Sequence, residues 1–240
     1  MLIARCAGPE GVVGFGVVDG VGPDGRPGDG ATFTPILGHP YGPIETAGPA
    51  VPLAGLRLLA PTLPSKVIAL GRNYAAHAAE LGNEVPAEPM IFLKPSTSVI
   101  GPGDRIVLPD QSEQVEHEAE LAIVIGRLCK EVPLARVPEV ILGYTCANDV
   151  SARDLQKVDG QWGRAKGFDT FCPLGPWIAT DVDPSDLAIT CTVDGEVRQD
   201  SRTSLLLRPA HEHVAWISNV MTLLPGDVIL TGTPAGVGPL

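Results

Sequence analysis

The chain is predicted to be an α+β protein in which strands dominate. Three observations carry this expectation. Its apolar runs, among them KVIALG, MIFLK, AELAIVIG and DVILTGT, have the length of strands and are bounded by Gly, Pro or charged residues. Its 28 Gly and 24 Pro exceed average usage and suit many short strands joined by tight turns. Long stretches with a helical period are few. At 240 residues the chain has room for one medium domain with a small appendage and for a substantial core.

Taken in order, residues 1–62 form a small N-terminal domain and 63–240 a larger one. LIARCAG and VVGFGVVDG are strands around a PEG turn. The Pro/Gly-rich stretch from Val21 to Pro52 has little periodicity and reads as loops. From Ser65 the signals sharpen. KVIALG is a short buried strand, and RNYAAHAAELG is an Ala-rich helix closed by Gly82 at its C-terminal end. Strands follow at MIFLK, AELAIVIG, VILGYTC, PWIAT, LAITCTVDGEVRQ and DVILTGT, and Asp194-Gly195 marks a hairpin turn within the fifth. A longer helix begins with Pro209 at its first position, runs through Val214, Ile217, Met221 and Leu224, and stops at Pro225-Gly226.

Composition excludes several classes of function. A net charge of −11 with no clustered Lys or Arg argues against nucleic acid as a partner. The apolar stretches are too short to span a membrane, and MLIARCAGPEG lacks the basic start and apolar core of a signal peptide, so a membrane location is not expected. Five scattered cysteines without a C-x-x-C pair fit reduced thiols in a cytoplasm and argue against a thiolate zinc site. No G-x-G-x-x-G follows a first strand and no βα alternation is visible, which argues against a Rossmann oxidoreductase.

The chemistry concentrates in three carboxylates. Glu118 and Glu120 stand two apart at the head of the apolar run Leu121–Ile125, so on a strand they share a face. Asp149 lies in GYTCANDVSARDLQ. Adjacent buried carboxylates repel and lose hydration, and a hard divalent cation would compensate both effects. Read from E-x-E alone, the two side chains could equally face water at the start of a strand. His117 points to the opposite face and is not counted as a ligand. His211 and His213 fall at a helix start and are expected to face water.

Six blocks in order, KVIALGRNYAAHAAELG, IFLKPSTSVIGPGD, HEAELAIVIGR, LGYTCANDVSARDLQ, AKGFDTFCPLGPW and LLPGDVILTGTPAGVG, resemble the fumarylacetoacetate hydrolase family. Within it the chain looks most like the bacterial branch of 2-hydroxyhepta-2,4-diene-1,7-dioate isomerases and acylpyruvate hydrolases. The resemblance implies a mixed β-sheet rolled into a barrel-like sandwich, with short helices outside and a small N-terminal domain before it. It implies Glu118, Glu120 and Asp149 as ligands of Mg²⁺ or Mn²⁺. His77 and Glu80, three apart on one helical face, match a base for water and the carboxylate that orients it, on a segment that closes over the substrate. Lys166 matches a lysine aimed at the substrate. Arg153 and Gln156, one helical turn apart, match positions that contact substrate or its network. Arg72 and Asn73 precede the closing segment, with Arg72 counted among the substrate-binding residues, and Thr233 matches a threonine near the substrate carboxylate. Family members usually continue past the position of Leu240 with a further strand, and without it a sheet edge would be left unpaired.

The implied function is divalent-metal-dependent chemistry on a short 2-oxo acid, acylpyruvate- or oxaloacetate-like, through a metal-stabilised enolate. C–C hydrolysis and decarboxylation lead, isomerisation of a dienedioate in aromatic catabolism is the alternative, and a homodimer is expected. The reading of another class is a non-catalytic dimer that binds metal and 2-oxo acids.

Overall fold

A computed structural model of the chain describes residues 1–80, 82 and 84–240. In the first sixty residues the strands are β1 (Leu2–Ala7), β2 (Val13–Val21), β3 (Pro27–Pro35), β4 (Val51–Pro52) and β5 (Arg57–Leu59). Then come β6 (Val67–Gly71), helix α1 (Ala75–Glu80), β7 (Met90–Lys94), β8 (Val99–Ile100), β9 (Val115–His117), β10 (Ala119–Ile125) and β11 (Ile141–Asn148). β12 (Ser151–Ala152) leads into α2 (Arg153–Asp159) and α3 (Gly163–Gly167), followed by β13 (Cys172–Ala179). The hairpin β14 (Ala188–Val193) and β15 (Glu196–Arg202), helix α4 (Ala210–Val220), β16 (Val228–Leu230) and β17 (Gly238–Pro239) complete the chain.

The mostly-β, mixed-sheet expectation holds. One sheet runs β4-β3-β2-β1-β13-β11-β10-β16-β6-β7, with β5 added on β1 and β8 on β13. Its ladders are antiparallel except β16 with β6 and β13 with β8. β1 pairs with β13 through Leu2 opposite Ala179 and Ile3 opposite Ile178, so the first strands extend the sheet built by the rest of the chain. β10 lies between β11 and β16 near the middle. Leu121, Ile123 and Ile125 pack with Ile68, Ile229, Val214 and Ile217 on the α4 side, while Ala122 and Val124 pack with Val67, Ala69, Val228 and Ile178 on the other. A strand covered on both faces has no need of polar alternation, which is why this segment is a continuous apolar run.

Three expectations are corrected. The stretch from Val21 to Pro52 is not all loop, because it contains β3 and β4. Ala31 and Phe33 are buried in a short alternation hidden among Gly, Asp and Pro, and a Cβ on Gly16 would stand 2.4 Å from the Phe33 ring. The long helix ends at Val220 rather than near Leu224, with Pro209 at its N-cap. Leu223 and Cys129 exchange two backbone hydrogen bonds, of 3.0 and 2.9 Å, which draw the end of the predicted helix into an extended bridge. α1 spans Ala75–Glu80, and Leu81, inside the predicted helical stretch, lies outside the described residues. Asp194 and Gly195 both have positive φ, as a type I′ hairpin turn requires.

The third correction is His213, which is fully buried in α4 rather than facing water. Its Nε2 lies 3.0 Å from the amide nitrogen of Asn73. That nitrogen can only donate, so Nε2 accepts and the ring proton sits on Nδ1. Burial, reinforced by the positive charge of Arg208, pushes its pKa down to about 3. An unfolded histidine takes up its proton near pH 6.5. The unfolded chain therefore binds more protons below that pH, and stability falls as pH drops through the window between the two values. His213→Gln should flatten this loss between pH 6.5 and 4, read as the shift of urea midpoints with pH. The native slope attributable to this residue is up to about 1.4 kcal/mol per pH unit.

Candidate active site

The register of β10 against β11 builds the centre. Ala119 stands opposite Asn148. The Glu118 N–H donates to Asn148 Oδ1 at 2.9 Å, and the Asp149 N–H donates to the Glu118 carbonyl at 2.9 Å. Glu118 sits in the one-residue break between β9 and β10, and Glu120 lies inside β10. The two glutamates and Asp149 therefore converge, with one ligand oxygen from each lying within 4.8 Å of the others, and all three are buried.

Three cations surround this cluster unequally. The Lys166 ammonium donates at 2.7 Å to both Glu118 Oε2 and Asp149 Oδ2. Arg153 donates from its Nη2 to Glu118 Oε1 at 2.6 Å, from Nε to Glu116 Oε2 at 2.8 Å, and from Nη1 to Gln156 Oε1 at 2.7 Å. Lys94 pairs with Asp149 Oδ1. Burial opposes the charge on Glu118, but Lys166, Arg153 and His77 outweigh it and hold its pKa down at about 2. Burial also works against the Lys166 charge and is outweighed by Asp149 and Glu118, so the ammonium stays protonated.

Glu120 is left over. Its only hydrogen bond among the described residues comes from the Gly232 N–H at 2.6 Å. Burial, then repulsion from Asp149 and Glu118, raises its pKa well above the usual carboxylate range. A divalent cation held by all three carboxylates would remove that penalty, and an all-oxygen donor set suits Mg²⁺ or Mn²⁺ rather than a soft metal. The residues present thus fit a hard divalent ion.

The carboxylates open into a cavity of about 340 Å³ that is also lined by Arg72, His77, Arg153, Gln156, Lys166 and Thr233. Of the residues singled out in the sequence as site residues, all but Glu80 line it. Glu80 is more exposed and stands behind His77, whose Nδ1 lies 3.2 Å from Glu80 Oε2, while Glu80 Oε1 accepts the Gly236 N–H at 3.0 Å. Phe92 and Trp162 form an apolar wall, with the Lys166 ammonium 5.3 Å from the Phe92 ring and the Arg72 guanidinium 5.9 Å from the indole. A Cβ on Gly71 would lie 2.4 Å from that indole, so the glycine lets Trp162 approach the backbone. Arg72 follows it with φ of 60°. Asn73 does not enter the cavity; its amide nitrogen donates to the Thr231 carbonyl and its oxygen accepts the Arg208 N–H, which ties the start of α1 to the end of β16 and the loop before α4. His117 is buried and pairs through Nδ1 with Gln199, away from the triad.

Sequence reasoning missed Lys94 and Glu116. A signal for Glu116 existed, since Glu116, Glu118 and Glu120 follow one another two apart in QVEHEAE. Lys94 carried none, because a lysine closing MIFLK is ordinary at a strand end.

The charge on Glu120 gives a test. A carboxyl whose folded pKa is raised disfavours the folded state once pH rises above its unfolded value, so at neutral pH the metal-free protein carries an electrostatic penalty there. Glu120→Gln should raise the melting temperature of the metal-free protein by about 2 °C or more, roughly 1 kcal/mol for a domain of this size. It should also abolish the rise that Mg²⁺ or Mn²⁺ gives the native chain, both read by thermal denaturation with and without chelator.

Comparison with known proteins matches residues 66–240 to the family described as fumarylacetoacetate (FAA) hydrolase C-terminal, and residues 1–61 to one described as Rv2993c-like, N-terminal. Protein Rv2993c of Mycobacterium tuberculosis is 55% identical over 243 residues, covering 100% of this chain and 90% of that protein. The mitochondrial oxaloacetate tautomerase Fahd2a of Rattus norvegicus is 47% identical over 79% of this chain and 62% of its own length. Among solved structures, 5-carboxymethyl-2-hydroxymuconate delta-isomerase from Mycobacterium smegmatis is 58% identical with a TM-score of 0.91, covering 100% of this chain and 91% of that one. Fumarylpyruvate hydrolase from Pseudomonas aeruginosa, solved with Mn²⁺ and pyruvate, is 37% identical with a TM-score of 0.68, covering 74% and 81%.

Proposed function

This chain belongs to the fumarylacetoacetate hydrolase family, and on that premise we propose that it is a Mg²⁺- or Mn²⁺-dependent enzyme that hydrolyses or decarboxylates short 2-oxo acids of acylpyruvate or oxaloacetate type. The observation that carries the reading is the buried Glu118–Glu120–Asp149 cluster, with Glu120 uncompensated, at the floor of a cavity that also holds His77 and Lys166. The Mn²⁺ and pyruvate of the Pseudomonas aeruginosa relative support the same class of metal and ligand.

When bound, the cation supplies Lewis-acid polarisation of the 2-oxo group and offsets negative charge that develops there as the neighbouring C–C bond breaks. The chain's own residues do the rest. His77 has Nδ1 turned to Glu80, which leaves Nε2 to take a proton from water, and Glu80 fixes the ring through its second contact with Gly236. Lys166 holds a protonated ammonium at the cluster, where it stabilises an anionic oxygen and can return a proton to carbon. Arg153 is bonded to both Gln156 and Glu118, so these residues set the shape and charge of the floor. Arg72 holds a cation at the aromatic wall and receives a carboxylate of the substrate. The active unit is a homodimer.

A second reading is favoured by the relatives named isomerase and tautomerase. The same His77 and Lys166 would move one proton between carbon and oxygen without breaking a C–C bond.

Pyruvate release from acetylpyruvate and from oxaloacetate, each with excess Mg²⁺ and then excess chelator, tests the proposal. Chelator-sensitive release is expected from at least one, and Asp149→Ala should lower it on the order of a hundredfold or more. Turnover and metal affinity untouched by that substitution would sink the reading. Chelator-sensitive enol–keto conversion without pyruvate release would favour the isomerase, and tight oxalate binding with no turnover of any kind the non-catalytic binder.

A further inference from the structure

Gln199 belongs to β15, on a hairpin that shares no ladder with the main sheet, and it is fully buried. Its side-chain amide is used on every side. Oε1 accepts the Ala119 N–H at 2.9 Å and faces His117 Nδ1 at 3.2 Å, while Nε2 donates to Thr233 Oγ1 and to the Pro234 carbonyl, both at 2.8 Å. Ala119 is the residue between Glu118 and Glu120. Thr233 and Pro234 belong to the loop 231–236, which touches the centre at three further points. Gly232 N–H reaches Glu120, Thr233 Oγ1 donates to the Ala119 carbonyl at 2.9 Å, and Gly236 N–H reaches Glu80. The loop also rests directly on β15, since a Cβ on Gly236 would stand 2.1 Å from the Arg198 carbonyl.

We propose that Gln199 is a positioning residue of the active centre, setting the E-x-E strand and the 231–236 loop in fixed relation without touching substrate. The inference rests on the metal-site reading above and extends it to a side chain outside the cavity. Only a carboxamide meets the demand, because it presents donors and acceptors together on one planar group. A carboxylate would set an acceptor against the Pro234 carbonyl, and an aliphatic side chain would leave the buried Thr233 and Pro234 groups and the half-buried Ala119 N–H short of partners. One consequence concerns Thr233. Nε2 of Gln199 can only donate, so the Thr233 oxygen accepts from it and commits its own proton to the Ala119 carbonyl. Thr233 therefore keeps no hydroxyl proton for a substrate carboxylate, and its side chain serves to anchor the loop.

The test compares the native chain with Gln199→Met, Thr233→Val and the double variant. Amide hydrogen exchange in the metal-free protein should quicken about tenfold or more at Gly232 and Gly236 in each single variant, with β6, β16 and residues 121–125 of β10 unchanged. With Mn²⁺, kcat should fall about tenfold or more while KM moves less, and Mn²⁺ affinity measured by calorimetry should weaken, in the range seen when a residue supporting a metal ligand is removed. The double variant should lose less than the sum of the two single variants, because the Gln199–Thr233 bond is cut by either substitution. Unchanged exchange in the loop, a lower melting temperature with kcat intact, or fully additive losses would overturn the proposal. If Gln199→Met does not fold, Thr233→Val severs the same link from the loop side and its exchange pattern decides. A native protein without turnover counts against the proposed function alone, and the exchange arm still decides this inference.

Discussion

Negative charge packed at the end of a buried strand is the constraint that shapes the rest of the molecule. One oxygen each from Glu118, Glu120 and Asp149 lies within 4.8 Å of the others. At an effective dielectric of about 20, each such pair of charges repels by roughly 3 to 4 kcal/mol. Three such pairs rival the whole stability of an ordinary domain, about 5–15 kcal/mol. The protein answers with Lys94, Arg153 and Lys166, all buried and all bonded to the cluster or its edge. Glu116 enters the same network by accepting from Arg153. Four carboxylates against three cations leave one negative charge over, and it falls on Glu120, whose only partner among the described residues is a backbone N–H. That residual charge makes the cluster a cation site rather than a closed salt-bridge network.

The scaffold follows from where those charges must be held. Glu118 and Asp149 meet because β10 and β11 are in register at Ala119 and Asn148, and a one-residue slip would turn both glutamates to the other face. The register is fixed by apolar packing on both sides of β10, from α4 on one and from β1, β6, β13 and β16 side chains on the other. The cations arrive from separate elements: Lys94 from the end of β7, Arg153 from α2 and Lys166 from α3. Short helices suffice because their task is to present one or two side chains each, not to build core. The loop after β16 closes the arrangement by giving its backbone N–H groups to Glu120 and Glu80, and the hairpin behind it supplies Gln199.

Features with local causes were legible in the sequence. Strands β6, β7, β10, β11, β13, β14 and β16 announce themselves as apolar runs, and the Asp194-Gly195 turn is a matter of two residues. β3 escaped because its alternation, Ala31 to Thr34, is short and framed by the Gly, Asp and Pro that usually mark loops. The end of α4 escaped because its competitor, the bridge from Leu223 to Cys129, comes from ninety-odd positions away in the chain. The site divides the same way. The E-x-E pair and Asp149 stand out by residue type, and resemblance to a family gathered His77, Lys166 and Arg153 around them. Lys94 and Gln199 have meaning only through Asp149 and Thr233, which are distant in sequence. His213 looks like a surface histidine until Asn73 is seen to receive it.

Hydrolysis, decarboxylation and proton shift all leave an electron pair on the carbon beside a 2-oxo group, so the carboxylate floor does not choose among them. The choice belongs to the groups that meet the far end of the substrate. Under the proposed function these would be the Phe92–Trp162 pair, in edge contact at 5.2 Å, and Arg72 over the indole. Gly71 admits the indole to the backbone, and the positive φ of Arg72 turns the chain immediately after it. The first position has no room for a Cβ and the second adopts a backbone conformation that most residues disfavour, which ties the shape of this wall to two consecutive positions. Under the proposed function, a water aligned by His77 would attack only a carbonyl that this wall leaves within its reach. If the wall instead holds the distal carbon turned away from that water, the remaining options are loss of carbon dioxide or transfer of a proton. The chemistry of the enzyme is thereby a question of pose against Trp162 and Arg72 rather than of the metal ligands.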